Sequence, residues 1–105
     1  MKILAIETSC DETCAAVTEG TNILSSVVYS QIDLHKEFGG VVPSIARRAH
    51  EEKISFVIDK AMLNAQCSML NIGAIAVTVG PGLAIALEVG IKKAKELAIK
   101  FNKPL

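Results

Sequence analysis

The sequence predicts an α/β domain built on a mixed sheet. Three apolar, β-branched runs separated by small polar turns come first. A long stretch with helical spacing follows, then another β-branched run and a second helical stretch. Alternating or continuous apolar runs of strand length, then apolar residues recurring every three to four positions, give the order β-β-β-α-β-α. A meander followed by helix-linked strands requires both antiparallel and parallel pairing, with right-handed crossovers in the later part.

Lys2 to Thr8 reads as a buried strand, and Cys14 to Thr18 as a short second one. Glu19-Gly20-Thr21-Asn22 is a turn cluster, after which Ile23 to Ser30 forms a third strand. Asp33 to Gly40 reads as a polar loop closed by Gly39-Gly40. Pro43 then suits the first turn of a helix, where its missing N–H costs nothing. Ile54, Val57, Ile58, Ala61 and Ala65 recur at helical spacing, so a helix is expected from about Pro43 to about Ala65. Arg47, Arg48, Glu51, Glu52 and Lys53 fill its outer face. Ile72 to Val79 is a fourth, buried strand, broken by Gly80-Pro81-Gly82. Leu83, Leu87, Ile91, Ala94, Ala98 and Phe101 define an amphipathic second helix. Its lysines gather in the second half, at the negative end of the helix dipole. Asn102-Lys103-Pro104 ends it, and Pro104-Leu105 reads as the lead-in to a further strand, as in a truncated protein.

At 105 residues the chain is one domain, residues 1–105, at the small end for a self-sufficient core. It has no Trp and few aromatics, so that core must be aliphatic. Lys plus Arg and Asp plus Glu are both 11, which argues against strong standalone nucleic-acid binding. No stretch has the length of a membrane span. The opening apolar run is too short for a signal sequence and ends in a carboxylate. Cys10, Cys14 and Cys67 are odd in number and read as reduced thiols of a cytosolic protein.

Two blocks carry candidate chemistry. Glu7-Thr8-Ser9-Cys10-Asp11-Glu12-Thr13 and Gly80-Pro81-Gly82-Leu83 each follow an apolar strand. Opening on the same sheet edge, they would form the rim of a nucleotide site. Backbone N–H groups and a helix start favour phosphate, and glycine permits close approach. Each block alone also reads as an ordinary tight turn. The Cys10/Cys14 spacing lacks the further ligands of a zinc site. His35 could touch a ligand and His50 could be catalytic, but lone histidines are more often surface residues or helix hydrogen-bonders, and that reading is preferred. Ile85 and Val89 lie off the main stripe of the second helix, which is therefore either buried on most sides or turned toward a partner.

Four blocks resemble one family in order and spacing. They are Ile6 to Thr13, His35-Lys36-Glu37-Phe38-Gly39-Gly40-Val41-Val42-Pro43, Ala46-Arg47-Arg48-Ala49-His50, and Val77-Thr78-Val79-Gly80-Pro81-Gly82-Leu83. Together they resemble the N-terminal portion of the TsaD family, also called Gcp, YgjD or Kae. The resemblance implies the actin-like ATPase (ASKHA) fold with its ribonuclease-H-like subdomains. It implies transfer of a threonylcarbamoyl group from threonylcarbamoyl-adenylate to N6 of adenosine 37 of tRNA. It also implies cytoplasmic work with a TsaB-like paralogue, a TsaE-like ATPase and tRNA, and a divalent metal, iron or zinc, in the full-length protein. The family's His-x-x-x-His metal motif is absent, so no metal site is expected in this chain, and the chain is expected to be inactive alone. Carried over residue by residue, Asp11 and Glu12 are the candidate catalytic groups. Ser9, Cys10, Gly80, Pro81 and Gly82 are the candidate binding residues. The two helices would meet the paralogue or a second copy. A non-catalytic TsaB-like scaffold, another ASKHA phosphotransferase, and a self-associating subdomain are the rival readings.

Overall fold

The computed structural model describes residues 1–105. Its sheet has four strands in the order β3-β2-β1-β4, where β1 is Lys2–Glu7, β2 is Glu12–Glu19, β3 is Asn22–Ser30 and β4 is Ile72–Val77. β1 and β2 run antiparallel with Leu4 opposite Val17 and Glu7 opposite Cys14. β2 and β3 form the second hairpin. Gly20 takes a left-handed φ of 60° at the first central position of the β2–β3 turn, where a side chain would be strained. β4 pairs parallel to β1, with Ile6 opposite Val77, which closes the mixed sheet.

Two long helices, α2 (Pro43–Asn64) and α3 (Ala84–Phe101), cover one face of this sheet. Strand residues alternate between faces, so every second residue enters the core. Leu4 and Ile6 of β1, Ala15 and Val17 of β2, and Ile72 and Ile75 of β4 pack on Ile54, Val57, Ile58, Ala61 and Met62 of α2 and on Ala94 of α3. The core is aliphatic, as the composition requires. The opposite face carries small residues, among them Ala5, Cys14, Ala16, Ser26 and Ala76. β4 is therefore not buried throughout: Ala76 is exposed, and Val79, past the strand end, is exposed as well. Only the helix-facing side of the strand is covered.

The polar segment after β3 is not simply a loop. It holds a short helix, α1 (Ile32–His35), and a 3-10 turn at Lys36–Phe38, stopped by Gly39 at φ 74°. Ile32 and Leu34 point to solvent while Gln31 and His35 are buried. The inward face is thus polar, and apolar spacing gives no sign of the helix.

α3 is stitched to β1 by Thr8, the residue that follows the strand. The Thr8 hydroxyl donates to the Ala86 carbonyl at 2.8 Å and accepts from the Gly90 N–H at 3.1 Å. These are the two groups that a regular helix pairs with each other. The helix's buried stripe is accordingly Ala86, Leu87, Gly90 and Ala94, with Ile91 only half-buried. Val89, off the predicted stripe, packs against the domain's own core. A Cβ at Gly90 would stand 2.7 Å from Thr8 Oγ1. Gly90→Ala gains about 1 kcal/mol of helix propensity. It crowds a stiff, buried threonine and breaks its bonds, at about 1–3 kcal/mol for each effect. The net expectation is a loss of stability of about 1–5 kcal/mol, read as a lower urea midpoint; an unchanged or higher midpoint would contradict it.

Asn102 adopts the left-handed conformation that ends α3. Pro104 then accepts from the Ile75 N–H at 2.9 Å, which sets residue 104 against the free edge of β4.

Candidate functional site

The segment between β1 and β2, residues 8–11, is held by three successive carbonyls, each tied to a different part of the chain. Ser9 O accepts from the Leu83 N–H at 2.8 Å. Cys10 O lies 3.0 Å from His50 Nε2 on α2. Asp11 O accepts from the Gln31 N–H at 2.8 Å. The Ser9 N–H donates to Glu7 Oε1 at 2.7 Å, closing the segment on itself. Three segments distant in sequence thus converge on four residues.

Two of the candidate blocks meet directly. Besides the Leu83–Ser9 bond, an added Cβ at Gly82 would stand 2.6 Å from Ser9 O and 2.8 Å from Ser9 Cβ. Gly82 is the position that requires glycine. Gly80 would accept a Cβ with nothing within 4 Å, and Gly80 and Pro81 lie exposed. Asp11 is half-exposed. Glu12 is the exposed first residue of β2 and follows the loop without belonging to it. Glu12 shares the open sheet face with Cys14, so the two candidate carboxylates are differently set: Asp11 on the anchored loop, Glu12 on the strand.

The local field is negative. Burial, then Asp11, then Glu7 push the Cys10 thiol above its ordinary value. Burial, then Glu12 and Glu7, push Cys14 up to about 11 from 9.0. Both thiols are free and stay protonated at neutral pH. Two units on the pKa reduce the thiolate fraction about a hundredfold. Cys14 in the folded chain is therefore expected to react with iodoacetamide at pH 8 at least about a hundredfold more slowly than in the urea-unfolded chain. Comparable rates in the two states, read by mass spectrometry, would contradict this field.

Of the two readings for the histidines, hydrogen bonding holds and surface exposure does not. Neither is a surface group: His50 is 0% and His35 4% exposed, and both rings sit in hydrogen bonds behind the loop. Arg47 is exposed on α2 and pairs with Glu51 at 3.4 Å. No group of three His, Cys, Asp or Glu side chains is arranged to hold a metal. With both thiols kept protonated and both imidazoles engaged, these residues do not fit the divalent metal that the resemblance implies. No helix is long and apolar enough to cross a membrane.

Sequence reasoning missed Gln31 and Gly90, and it named Thr8 and His50 without their partners. Gly90 and His50 carried a further signal. Gly90 interrupts a helical pattern, which usually has a packing reason. His50 sits four residues before Ile54 and four after Ala46, on the stripe that faces the core.

Comparison with known proteins decides the family. The family model described as TsaD, tRNA N6-adenosine threonylcarbamoyltransferase, matches residues 22–105. The chain belongs to the TsaD family. A relative from Clostridium kluyveri bearing the name tRNA N6-adenosine threonylcarbamoyltransferase is 55% identical, covering 100% of this chain and 31% of the relative. One from Thermosipho melanesiensis with the same name is 57% identical, covering 100% of this chain and 32% of the relative. This TsaD-family chain thus spans about a third of the length of the curated relatives it matches. Among solved structures, YeaZ from Pseudomonas aeruginosa superposes with a TM-score of 0.75 at 21% identity, over 99% of this chain and 42% of that one. That likeness concerns the fold alone.

Proposed function

We propose that these residues form one wall of a tRNA threonylcarbamoyltransferase site, with the Ser9–Glu12 segment at its reacting edge. The observation that carries this reading is the junction of Gly82 and Leu83 with Ser9. It joins a carboxylate-bearing loop to the start of an 18-residue helix. Helix starts favour the phosphate of an adenylate. The carboxylate side favours a group that gives up a proton.

The adenine N6 amine is a weak nucleophile, because its electron pair is shared with the ring. Attack on the carbamoyl carbon forms the N6–C bond and breaks the C–O bond to the adenylate phosphate, so AMP leaves. The amine must lose a proton in the process. Asp11, half-exposed on an anchored loop, is the group placed to take it, and Glu12 adds negative charge nearby. Ser9, Cys10 and the Gly80–Gly82 turn shape the adenylate side. The metal implied for the family would polarise the acyl-adenylate, and its ligands lie outside this set of residues.

The groove between α2 and α3, with Arg47, Glu51, Glu88, Lys92, Lys95 and Glu96, is the surface for a TsaB-like paralogue or a second copy. Its mixed charges suit a protein partner of the same kind of surface. A TsaE-like ATPase and tRNA join the assembly, and the setting is cytoplasmic.

Complementation tests the reading. In a bacterium depleted of its own TsaD-family protein, a full-length family protein whose first 105 residues are replaced by this chain is expected to restore threonylcarbamoyladenosine at tRNA position 37. The 105 residues expressed alone are expected not to. Failure of the chimaera would remove the proposal, and restoration by the 105 residues alone would remove the expectation that they are inactive.

A further inference from the structure

The polar cluster behind the loop is not used by the transfer step as described above. It consists of Thr13, Gln31, His35 and His50, with Thr13 and His50 0% exposed, Gln31 1% and His35 4%. No buried side-chain polar atom in it lacks a partner. Its bonds run in one direction. The Val42 N–H donates to His35 Nδ1 at 3.1 Å, so that ring carries its proton on Nε2. His35 Nε2 donates to Gln31 Oε1 at 2.9 Å, which fixes the orientation of the carboxamide. Gln31 Nε2 then donates to the Ala46 carbonyl at 3.3 Å and toward His50 Nδ1 at 3.2 Å. The Thr13 hydroxyl donates to the same Nδ1 at 2.7 Å. His50 therefore keeps its proton on Nε2 and donates it to the Cys10 carbonyl at 3.0 Å.

We infer that His50 is a positioning residue that, as a neutral imidazole, fixes the Cys10 carbonyl and hence the placement of Asp11. Its tautomer is set from Val42 through His35 and Gln31. The catalytic meaning of this inference rests on the proposed role of Asp11, whereas the loop geometry does not.

A second proton on His50 is disfavoured by its partners. At Nδ1 it would require the Thr13 hydroxyl to turn from donor to acceptor and would still confront the Gln31 N–H, and turning the Gln31 amide would break its bond to His35. The ionisable groups facing the ring are Glu7, Asp11 and His35. Burial, the largest influence, holds the ring below its ordinary 6.5; the Cys10 carbonyl, Glu7 and Asp11 oppose this, and His35 adds to it. The unfolded imidazole takes up a proton near 6.5, and the folded one only at lower pH. The stabilising contribution is thus present above 6.5 and lost as pH falls toward the folded value.

Nitrogen NMR of the histidine rings in the unsubstituted chain is the first test. His50 is expected to show an unprotonated Nδ1, a protonated Nε2 and a titration midpoint below 6.5. A proton on Nδ1, or a midpoint at or above that value, would overturn the inference. The second test is amide exchange in two variants. In His50→Gln the amide nitrogen takes the place of Nε2 and reaches the Cys10 carbonyl; in His50→Asn the side chain is too short. Exchange of the Gln31 amide, which donates to Asp11 O, is expected to rise about tenfold in His50→Asn and to stay within about threefold of the parent in His50→Gln. The Leu4 and Val17 amides are expected to be unchanged. Equal acceleration in both variants, or in neither, would overturn the inference. If His50→Asn does not fold, the ring measurement on the parent chain decides. Neither readout involves turnover, so a failure of Asp11 as the base would be seen separately.

Discussion

Asp11→Asn is expected to reduce threonylcarbamoyl transfer by about 10²- to 10⁴-fold, the range over which a positioned general base contributes. The substitution keeps the shape of the side chain and removes its capacity to accept a proton. It also leaves the loop where it is, because Asp11 is anchored through its carbonyl, which accepts from the Gln31 N–H at 2.8 Å. Loss of activity without loss of stability is therefore the signature. The assay is transfer to tRNA by the complete family protein carrying the substitution, with a urea melt alongside. Rates within a factor of a few of the parent would remove Asp11 from the chemistry. A parallel fall in the urea midpoint would assign it a structural role instead.

Gly82→Ala acts on the other half of the rim. The new methyl would stand 2.6 Å from Ser9 O, 2.8 Å from Ser9 Cβ and 3.1 Å from Ser9 Cα. Two of those three atoms are backbone, so no rotamer change relieves the contact. The turn must move away and release the Leu83–Ser9 hydrogen bond. Overpacking of this kind costs about 1–3 kcal/mol, and the lost bond adds about 1 kcal/mol. The expected result is a fall in stability of about 2–4 kcal/mol. The Leu83 amide should then exchange faster than its neighbours in α3. Gly40→Ala is the control, since nothing lies within 4 Å of a Cβ there and its φ is not left-handed. It is expected to stay within about 0.5 kcal/mol of the parent. Equal effects of the two substitutions would show that the close approach at Gly82 is not what the turn depends on.

Apolar spacing encodes whatever buries apolar surface, and those parts of the fold were legible. β1 and α3 lie within two residues of their expected bounds, and the meander, the long helix from Pro43 and the break after β4 follow the order read from the sequence. What spacing does not encode is a polar interior. Gln31 and His35 face inward from a segment whose apolar residues, Ile32 and Leu34, face out. A reader of hydrophobicity therefore sees a loop. His50 occupies a core position on α2, and Thr8 follows a strand, yet what each binds lies 40 and 78 residues away in sequence. Contacts of that separation are set by how the elements dock, and no local pattern announces them. The candidate site was partly visible for the same reason. The two turns could be named from their glycines and carboxylates, whereas the anchors that hold the first of them could not.

The three anchored carbonyls of Ser9, Cys10 and Asp11 have an electrostatic consequence. Each oxygen carries the negative end of its peptide group, and all three are directed at donors inside the domain. Lone pairs that would otherwise repel an incoming anion are turned away from it. The loop's outward charge is then supplied by its side chains alone, so a single substitution at Asp11 can change what it attracts without moving the backbone.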